Sequence, residues 1–187
     1  MPEPTTLILR KAGTDDVDRA VAIIREASDW LAERGFDWLR SFPGGTPRRV
    51  ADGKLWLAYL AEAVEPIATV ALETTGDPEF WSPQESDALF VHSLAVRRNV
   101  GGLGIGSALL DFAGDQAARR QLPWIRLDCN KANEPLQAYY RRQGFSYLRT
   151  VDLPHRVSGA LFQRQAALST SIRPDDRGPE RFIISFQ

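Results

Sequence analysis

Cysteine occurs once among the 187 residues, at Cys129, and histidine twice, at His92 and His155. A lone cysteine excludes an internal disulfide, and so few soft ligands leave no cluster at zinc-site spacing, so no metal is expected. Neither sign of charge is in excess: 23 Lys+Arg face 24 Asp+Glu, for a formal charge of -1. That balance leaves no electrostatic footprint for nucleic acid or for an anionic membrane, and any basic site must be local. Long apolar runs are missing too. The longest, residues 55–61, falls far short of the ~20 residues a membrane-spanning helix needs. The start of the chain, Met1-Pro2-Glu3-Pro4-Thr5-Thr6, has no basic segment followed by an apolar stretch and a cleavage site, so the expected location is cytoplasmic.

What is present is the material of one ordinary domain: 43% hydrophobic, 25% charged and 10% aromatic residues, enough to bury a core. No repeat or low-complexity stretch is visible. Residues 1–168 read as the domain, with irregular segments at 42–53 and 75–85, and residues 169–187 as a C-terminal extension. The end of that extension, Arg181–Phe186, reads equally as an extra strand or as a frayed tail.

Residues 7–10 read as a first strand. Thr14 then looks like an N-cap, with Asp15 and Asp16 in the first turn where the helix dipole favours acids. Val17, Val21, Ile24 and Leu31 recur at helical spacing beside Ala20 and Ala27, and Gly35 stands where a C-terminal cap belongs. Leu55–Leu60, residues 67–72 and Ala88–Val96 are apolar, β-branched or aromatic and separated by Pro and Gly breakers, which predicts three mostly antiparallel strands. The pattern then changes to a loop, a helix over 107–120 with Leu109, Phe112, Ala113 and Ala117 on one face, a strand over 124–129, and a helix over 134–143 ending at Gly144. A βαβα unit on an antiparallel meander makes the fold class α+β, with a mixed sheet and a parallel pairing near its middle. A further strand is expected around 160–165.

The segment richest in chemistry is Val96-Arg97-Arg98-Asn99-Val100-Gly101-Gly102-Leu103-Gly104-Ile105-Gly106-Ser107, between a predicted strand and an amphipathic helix. Glycines admit a ligand close to the backbone, and successive N–H groups at the positive end of a helix hold a diphosphate, with Arg97 and Arg98 as local cations. Spacing separates the competing readings. A P-loop needs Lys-Ser/Thr after its last glycine, where Ser107-Ala108 stands, and a dinucleotide fingerprint begun at Gly102 needs glycine in place of Ser107. A glycine-rich turn without a ligand also fits this segment taken alone.

Leu94-Ala95-Val96 followed by residues 101–110 resembles the acyl-CoA-binding motif, (R/Q)-x-x-G-x-(G/A), of the GNAT superfamily of N-acetyltransferases. Downstream, Asn133, Tyr140, Arg141-Arg142 and Gly144-Phe145 are similar to that family's N-x-x-A-x-x-x-Y-x-(K/R)-x-G-F segment. The chain departs from the pattern at Gly101, where Arg or Gln is usual, and at Leu136, where Ala is common. The resemblance implies a mostly antiparallel, twisted mixed sheet flanked by helices and splayed at its centre, where acetyl-CoA enters as co-substrate. It implies that Leu94, Ala95 and Val96 pair with the pantetheine arm, that Gly101, Gly102, Leu103, Gly104, Ile105, Gly106 and Ser107 surround the diphosphate, and that Asn133 contacts the coenzyme. Tyr140 is then placed to protonate the departing sulfur.

Asn133 also reads independently as an N-cap ahead of Glu134-Pro135, and Tyr140 shares a helical face with Leu136. Tyr140 could equally be a packed aromatic. For the base, His92 has a suitable pKa range and, by strand alternation, the parity of Leu94 and Val96; Glu73, Glu85 and Asp87 are rivals. Cys129 reads as a small buried hydrophobe rather than as a covalent nucleophile. Trp38, beside Phe36 and Phe42, lies in the region that frames the acceptor site in the family. The function implied is acetyl transfer to an amine, first a small molecule, with a peptide N-terminus or lysine as alternatives. A non-catalytic acyl-CoA-binding sensor and a nucleotide-binding module are the rivals. A homodimer through a sheet edge at Arg181–Phe186 is a further expectation.

Overall fold

The computed structural model describes residues 5–38, 45–61, 63–178 and 180–186. Along the chain these form β1 (Thr5–Lys11), α1 (Val17–Ala32), α2 (Gly45–Ala51), β2 (Leu55–Leu60), β3 (Ala68–Glu73) and β4 (Ala88–Val96). There follow α3 (Ile105–Arg119), β5 (Trp124–Asn130), α4 (Glu134–Arg142), β6 (Ser146–Thr150), β7 (Ser158–Gln165), β8 (Ile172–Pro174) and β9 (Arg181–Phe186). The strands make one sheet in the order β6-β7-β5-β4-β3-β2-β1-β9-β8. Among the described residues only the β4–β5 pair is parallel. This is the mixed, mostly antiparallel α+β arrangement expected from the sequence. Among the described residues no helix is long and apolar enough to cross a membrane.

The apolar runs of the central strands follow from burial on both faces. Side chains alternate across the sheet, so Trp56 and Ala58 join Leu109, Phe112 and Ala113 of α3, while Leu55, Leu57 and Tyr59 pack with Ala20, Ile23 and Ile24 of α1. The start of α1 differs from the expected Thr14 cap. Residues 14–16 form a 3-10 turn, and the Asp16 carboxylate accepts from Gly13 N–H at 2.9 Å and from Arg10 at 2.7 Å. At the other end Gly35, φ +81°, closes the helix as expected: Gly35 N–H donates to Ala32 O and Phe36 N–H to Leu31 O.

Three sequence expectations change. The segment 42–53, read as irregular, contains helix α2, with Pro47 in its first turn where its missing N–H costs nothing; residues 42–44 lie outside the described residues. Strand β6 was not expected. Arg181–Phe186 is a strand but not an edge, because β9 pairs with β1 on one side and β8 on the other.

The feature that creates the site lies in β4. Ala71 of β3 faces His92, but Thr69 faces Ala95, so β4 carries one extra residue between these pairs. Ser93 takes φ +50° there, and its carbonyl accepts from Thr69 Oγ1 at 2.7 Å. Such a bulge bends and twists its strand. Accordingly β4 pairs with β5 only from Ala88 to Phe90, and beyond that the two strands diverge.

Candidate active site

The divergence opens a cleft of about 710 Å³. One side of the gap is residues 91–96 of β4 and the other residues 127–130 of β5; α1 and the turn after it, the start of α3, and α4 complete the walls. Beyond Phe90 the β4 backbone has no ladder partner on the β5 side among the described residues, so an extended chain can hydrogen-bond there.

The glycine-rich segment leads into α3. Gly104 is its N-cap at φ +77°, a conformation that L side chains rarely adopt. The first helical bond runs from Ala108 N–H to Gly104 O, 3.0 Å, leaving the N–H groups of Ile105, Gly106 and Ser107 without an acceptor among the described residues. Three such groups at the positive end of a 15-residue helix form an anion site. Gly106 also lines the cleft, and a Cβ on it would meet Tyr139 Oη at 2.8 Å. Side chains contribute less here than the sequence suggests. Ile105 is buried in the core, Leu103 is exposed, and Ser107 Oγ donates to Gln143 Oε1 at 2.5 Å.

The two candidate arginines have separate fates. Arg97 is committed, donating to Glu26 Oε2 and to Pro66 O at 3.0 Å each. Arg98 lines the cleft, with its guanidinium 3.8 Å from the Trp30 ring centroid and Nη2 3.4 Å from where a Cβ on Gly101 would stand. A guanidinium thus lies beside the position at which Gly101 lacks a side chain.

On α4, Asn133 is the N-cap, accepting from Leu136 N–H at 3.0 Å, and it lines the cleft. Tyr140 is fixed by edge contacts with Tyr139 and Phe145 and a tilted contact with Phe162. Burial, with the neighbouring Cys129 thiol, pushes its phenol above the ordinary value of 10, so the hydroxyl keeps its proton at neutral pH. Tyr139, which the sequence reading passed over, also lines the cleft.

His92 faces the cleft but not with the parity expected. The bulge at Ser93 interrupts alternation: His92 stands opposite Ala71 on the α1 face, whereas Leu94 and Val96 pack on the α3 face. Burial pushes its imidazole below the ordinary 6.5, with Arg49 acting in the same sense and Asp128, Glu73 and Asp77 opposing. The ring is therefore neutral at pH 7 and able to accept a proton. Extending the β4–β5 register two residues past Phe90–Arg126 sets His92 against Asp128, the first facing pair across the gap on that side. Burial pushes the Cys129 thiol up to about 12, which leaves almost no thiolate.

Trp30, Leu31, Phe36 and Trp38 wall the α1 side, and His155 and Arg156 reach the cleft from the β6–β7 connection. Phe42 lies outside the described residues. His155, which the sequence gave no placement, arrives because Arg156 binds Asp77 at 2.5 Å and His155 Nε2 binds Glu79 at 2.7 Å. Of the residues singled out in the sequence, His92, Leu94, Ala95, Val96, Gly106, Asn133 and Tyr140 line one cavity. Gly101, Gly102, Leu103, Gly104, Ile105 and Ser107 belong to the loop and helix start at its side.

Comparison with known proteins places this splayed mixed sheet, with a helix N-terminus beside the gap, in a family. Residues 24–145 match the acetyltransferase (GNAT) family, and the chain belongs to that family. The uncharacterized N-acetyltransferase YesJ of Bacillus subtilis (strain 168) is 23% identical over 141 residues, 72% of this chain and 78% of that protein. The solved structure of a GNAT family acetyltransferase from Listeria monocytogenes superposes with a TM-score of 0.66 at 21% identity, covering 85% of this chain and 94% of the other. The PaiA N-acetyltransferase of Thermoplasma acidophilum, solved with coenzyme A, gives 0.67 at 13% identity, with 85% and 98% covered.

Proposed function

We propose that this protein transfers the acetyl group of acetyl-CoA directly to a primary amine of a small molecule. The observation that carries the reading is the juxtaposition, around one gap in the sheet, of an unpaired strand edge, three N–H groups at the start of α3 with no acceptor among the described residues, a neutral imidazole and a protonated phenol. Residues 94–96 present backbone to the pantetheine arm. The N–H groups of Ile105, Gly106 and Ser107 hold the diphosphate, Arg98 supplies the cation that Gly101 cannot, and Asn133, in the cleft wall, contacts the coenzyme. The fit is favourable on charge, since a helix N-terminus and an arginine meet a phosphate.

Acetyl-CoA supplies an activated thioester, at which a C–N bond forms as the C–S bond breaks. His92 takes a proton from the acceptor's ammonium, directly or through water, freeing the lone pair that attacks. Tyr140 gives its proton to the departing sulfur and recovers one from the acetylated nitrogen or from solvent. Two protons leave nitrogen and one ends on sulfur, so each turnover releases one proton. Cys129 takes no part, because its thiol stays protonated.

The test is thiol release from acetyl-CoA over a panel of small amines, with the product identified by mass. Amine-dependent thiol release that ceases without acceptor supports direct transfer. Tight acetyl-CoA binding with no turnover on any amine, peptide or lysine acceptor would make the protein a sensor instead.

A further inference from the structure

Asp128 stands out among the acids around the cleft. Asp77 is paired with Arg156, Glu79 with His155 and Arg156, and Glu73 with Arg49 and Arg48. The Asp128 carboxylate lines the cavity and has no hydrogen bond or ion pair among the described residues. It alternates along β5 with Leu127 and Cys129, which pack in the α3-side core, so it lies on the face where His92 stands across the gap. A half-buried carboxylate that has no cation beside it and faces a cavity is placed to receive one from a ligand.

The surroundings define the rest of that ligand. Asn130, two residues further on the same face of β5, donates from Nδ2 to Asp37 O at 2.9 Å and so holds the turn bearing Phe36 and Trp38 beside Asp128. Trp30 and Leu31 of α1 continue the apolar wall. The rim donors are occupied: Arg156 and His155 by their acids, and Arg34 by the Trp30 carbonyl at 3.0 Å and the Trp30 ring at 3.9 Å. Apart from Arg98, which the coenzyme diphosphate would claim, a carboxylate on the acceptor, or a second ammonium, would find no uncommitted partner among the described residues.

We infer that Asp128 is the specificity-determining residue for the acceptor, receiving the ammonium of a monocationic primary amine whose aromatic or flat apolar body lies against Phe36 and Trp38. The inference rests on the acetyl-transfer reading and adds the substrate class to it. Asp128 holds the nitrogen facing His92, and the aromatic turn discriminates by burial of apolar surface.

The experiment measures thiol release at pH 7 with 2-phenylethylamine, phenylalanine and butane-1,4-diamine, for the wild type, Asp128→Asn and Asp128→Glu. The wild type should prefer 2-phenylethylamine over the zwitterion and the diamine by about tenfold or more in kcat/KM. Asp128→Asn, of equal size, should lose about 10- to 100-fold for that amine, mainly through KM. Its KM for acetyl-CoA and its melting temperature should stay at wild-type values. Asp128→Glu, larger but charged, should retain more activity than Asp128→Asn, the reverse of what a packing role predicts. An Asn variant within about threefold of wild type, a Glu variant worse than Asn, or a preference for the zwitterion or diamine would overturn the assignment. Turnover of none of the three, with activity on other amines, would overturn it while leaving acetyl transfer intact; acetyl-CoA binding with no acceptor at all would remove both.

Discussion

Replacing Tyr140 by phenylalanine separates chemistry from packing, because the ring and the hydroxyl do different things in this fold. The ring lies 5.5 Å from Tyr139, 5.7 Å from Phe145 and 6.0 Å from Phe162 between centroids, contacts a phenyl ring preserves. The hydroxyl has no hydrogen-bond partner among the described residues, so removing it orphans no buried group. Stability should therefore change by less than about 1 kcal/mol, a melting shift of roughly 2–4 °C at most for a chain of this length. Loss of a positioned general acid costs about 10²- to 10⁴-fold in rate, or roughly 3–5 kcal/mol in the activation barrier. Steady-state thiol release gives kcat, calorimetry gives the acetyl-CoA Kd, and a thermal melt reports the fold. Tyr140→Phe should lose kcat within that range while Kd and melting temperature hold. A kcat within about threefold of wild type, or a loss matched by an equal loss of coenzyme affinity, would refute the assignment and leave Tyr140 a core aromatic.

Arg98→Ala should raise the acetyl-CoA Kd about tenfold, less so at high salt; Arg97→Ala should lower the melting temperature instead, since its contacts are Glu26 and Pro66 O. Calorimetry and melts on both variants distinguish these outcomes. Because the base must be neutral, kcat/KM should rise with pH through the His92 pKa, and burial places that limb below 6.5. Asp128→Asn should move the limb further down, because Asp128 is the charge that most favours the imidazolium. Arg149 holds the Glu85 carboxyl at about 2 against an ordinary 4.5, so the folded state binds its proton less readily than the unfolded one. The stabilisation this pair gives should be complete above pH 4.5 and be lost between 4.5 and 2, and denaturant melts of Arg149→Ala should show a shallower loss over that window.

The parts of the site that the sequence reveals are those built from local rules. Asn133 caps α4 because a side-chain oxygen one residue ahead of Glu134-Pro135 can reach the Leu136 N–H, and Gly35 and Gly104 mark helix ends through backbone conformations that glycine adopts freely. Strand β6 escaped notice because its side chains are exposed or half-buried along their whole length, so no alternation marks it. Helix α2 was hidden by Gly45 and Pro47, which read as breakers unless the helix is known to begin there. The bulge at Ser93 is set by pairing with β3 and by Thr69, so parity counted along β4 misassigned the face of His92. The two ends of the chain meet as β1 and β9, a pairing no local pattern encodes. His155 and Asp128 acquire meaning only once the strands and the β6–β7 connection are brought to the same gap.

The central claim is that the start of α3 cradles the coenzyme. Calorimetric titration of acetyl-CoA into the wild type and into Gly104→Glu tests it most directly, with a thermal melt confirming that each protein is folded. A side chain at Gly104, φ +77°, is strained, and a carboxylate there would oppose a diphosphate at the N–H groups of Ile105, Gly106 and Ser107. Saturable binding of one acetyl-CoA per chain, lost in Gly104→Glu, is the predicted result. A folded wild type that takes up no acetyl-CoA, or a variant that binds it undiminished, would contradict the account.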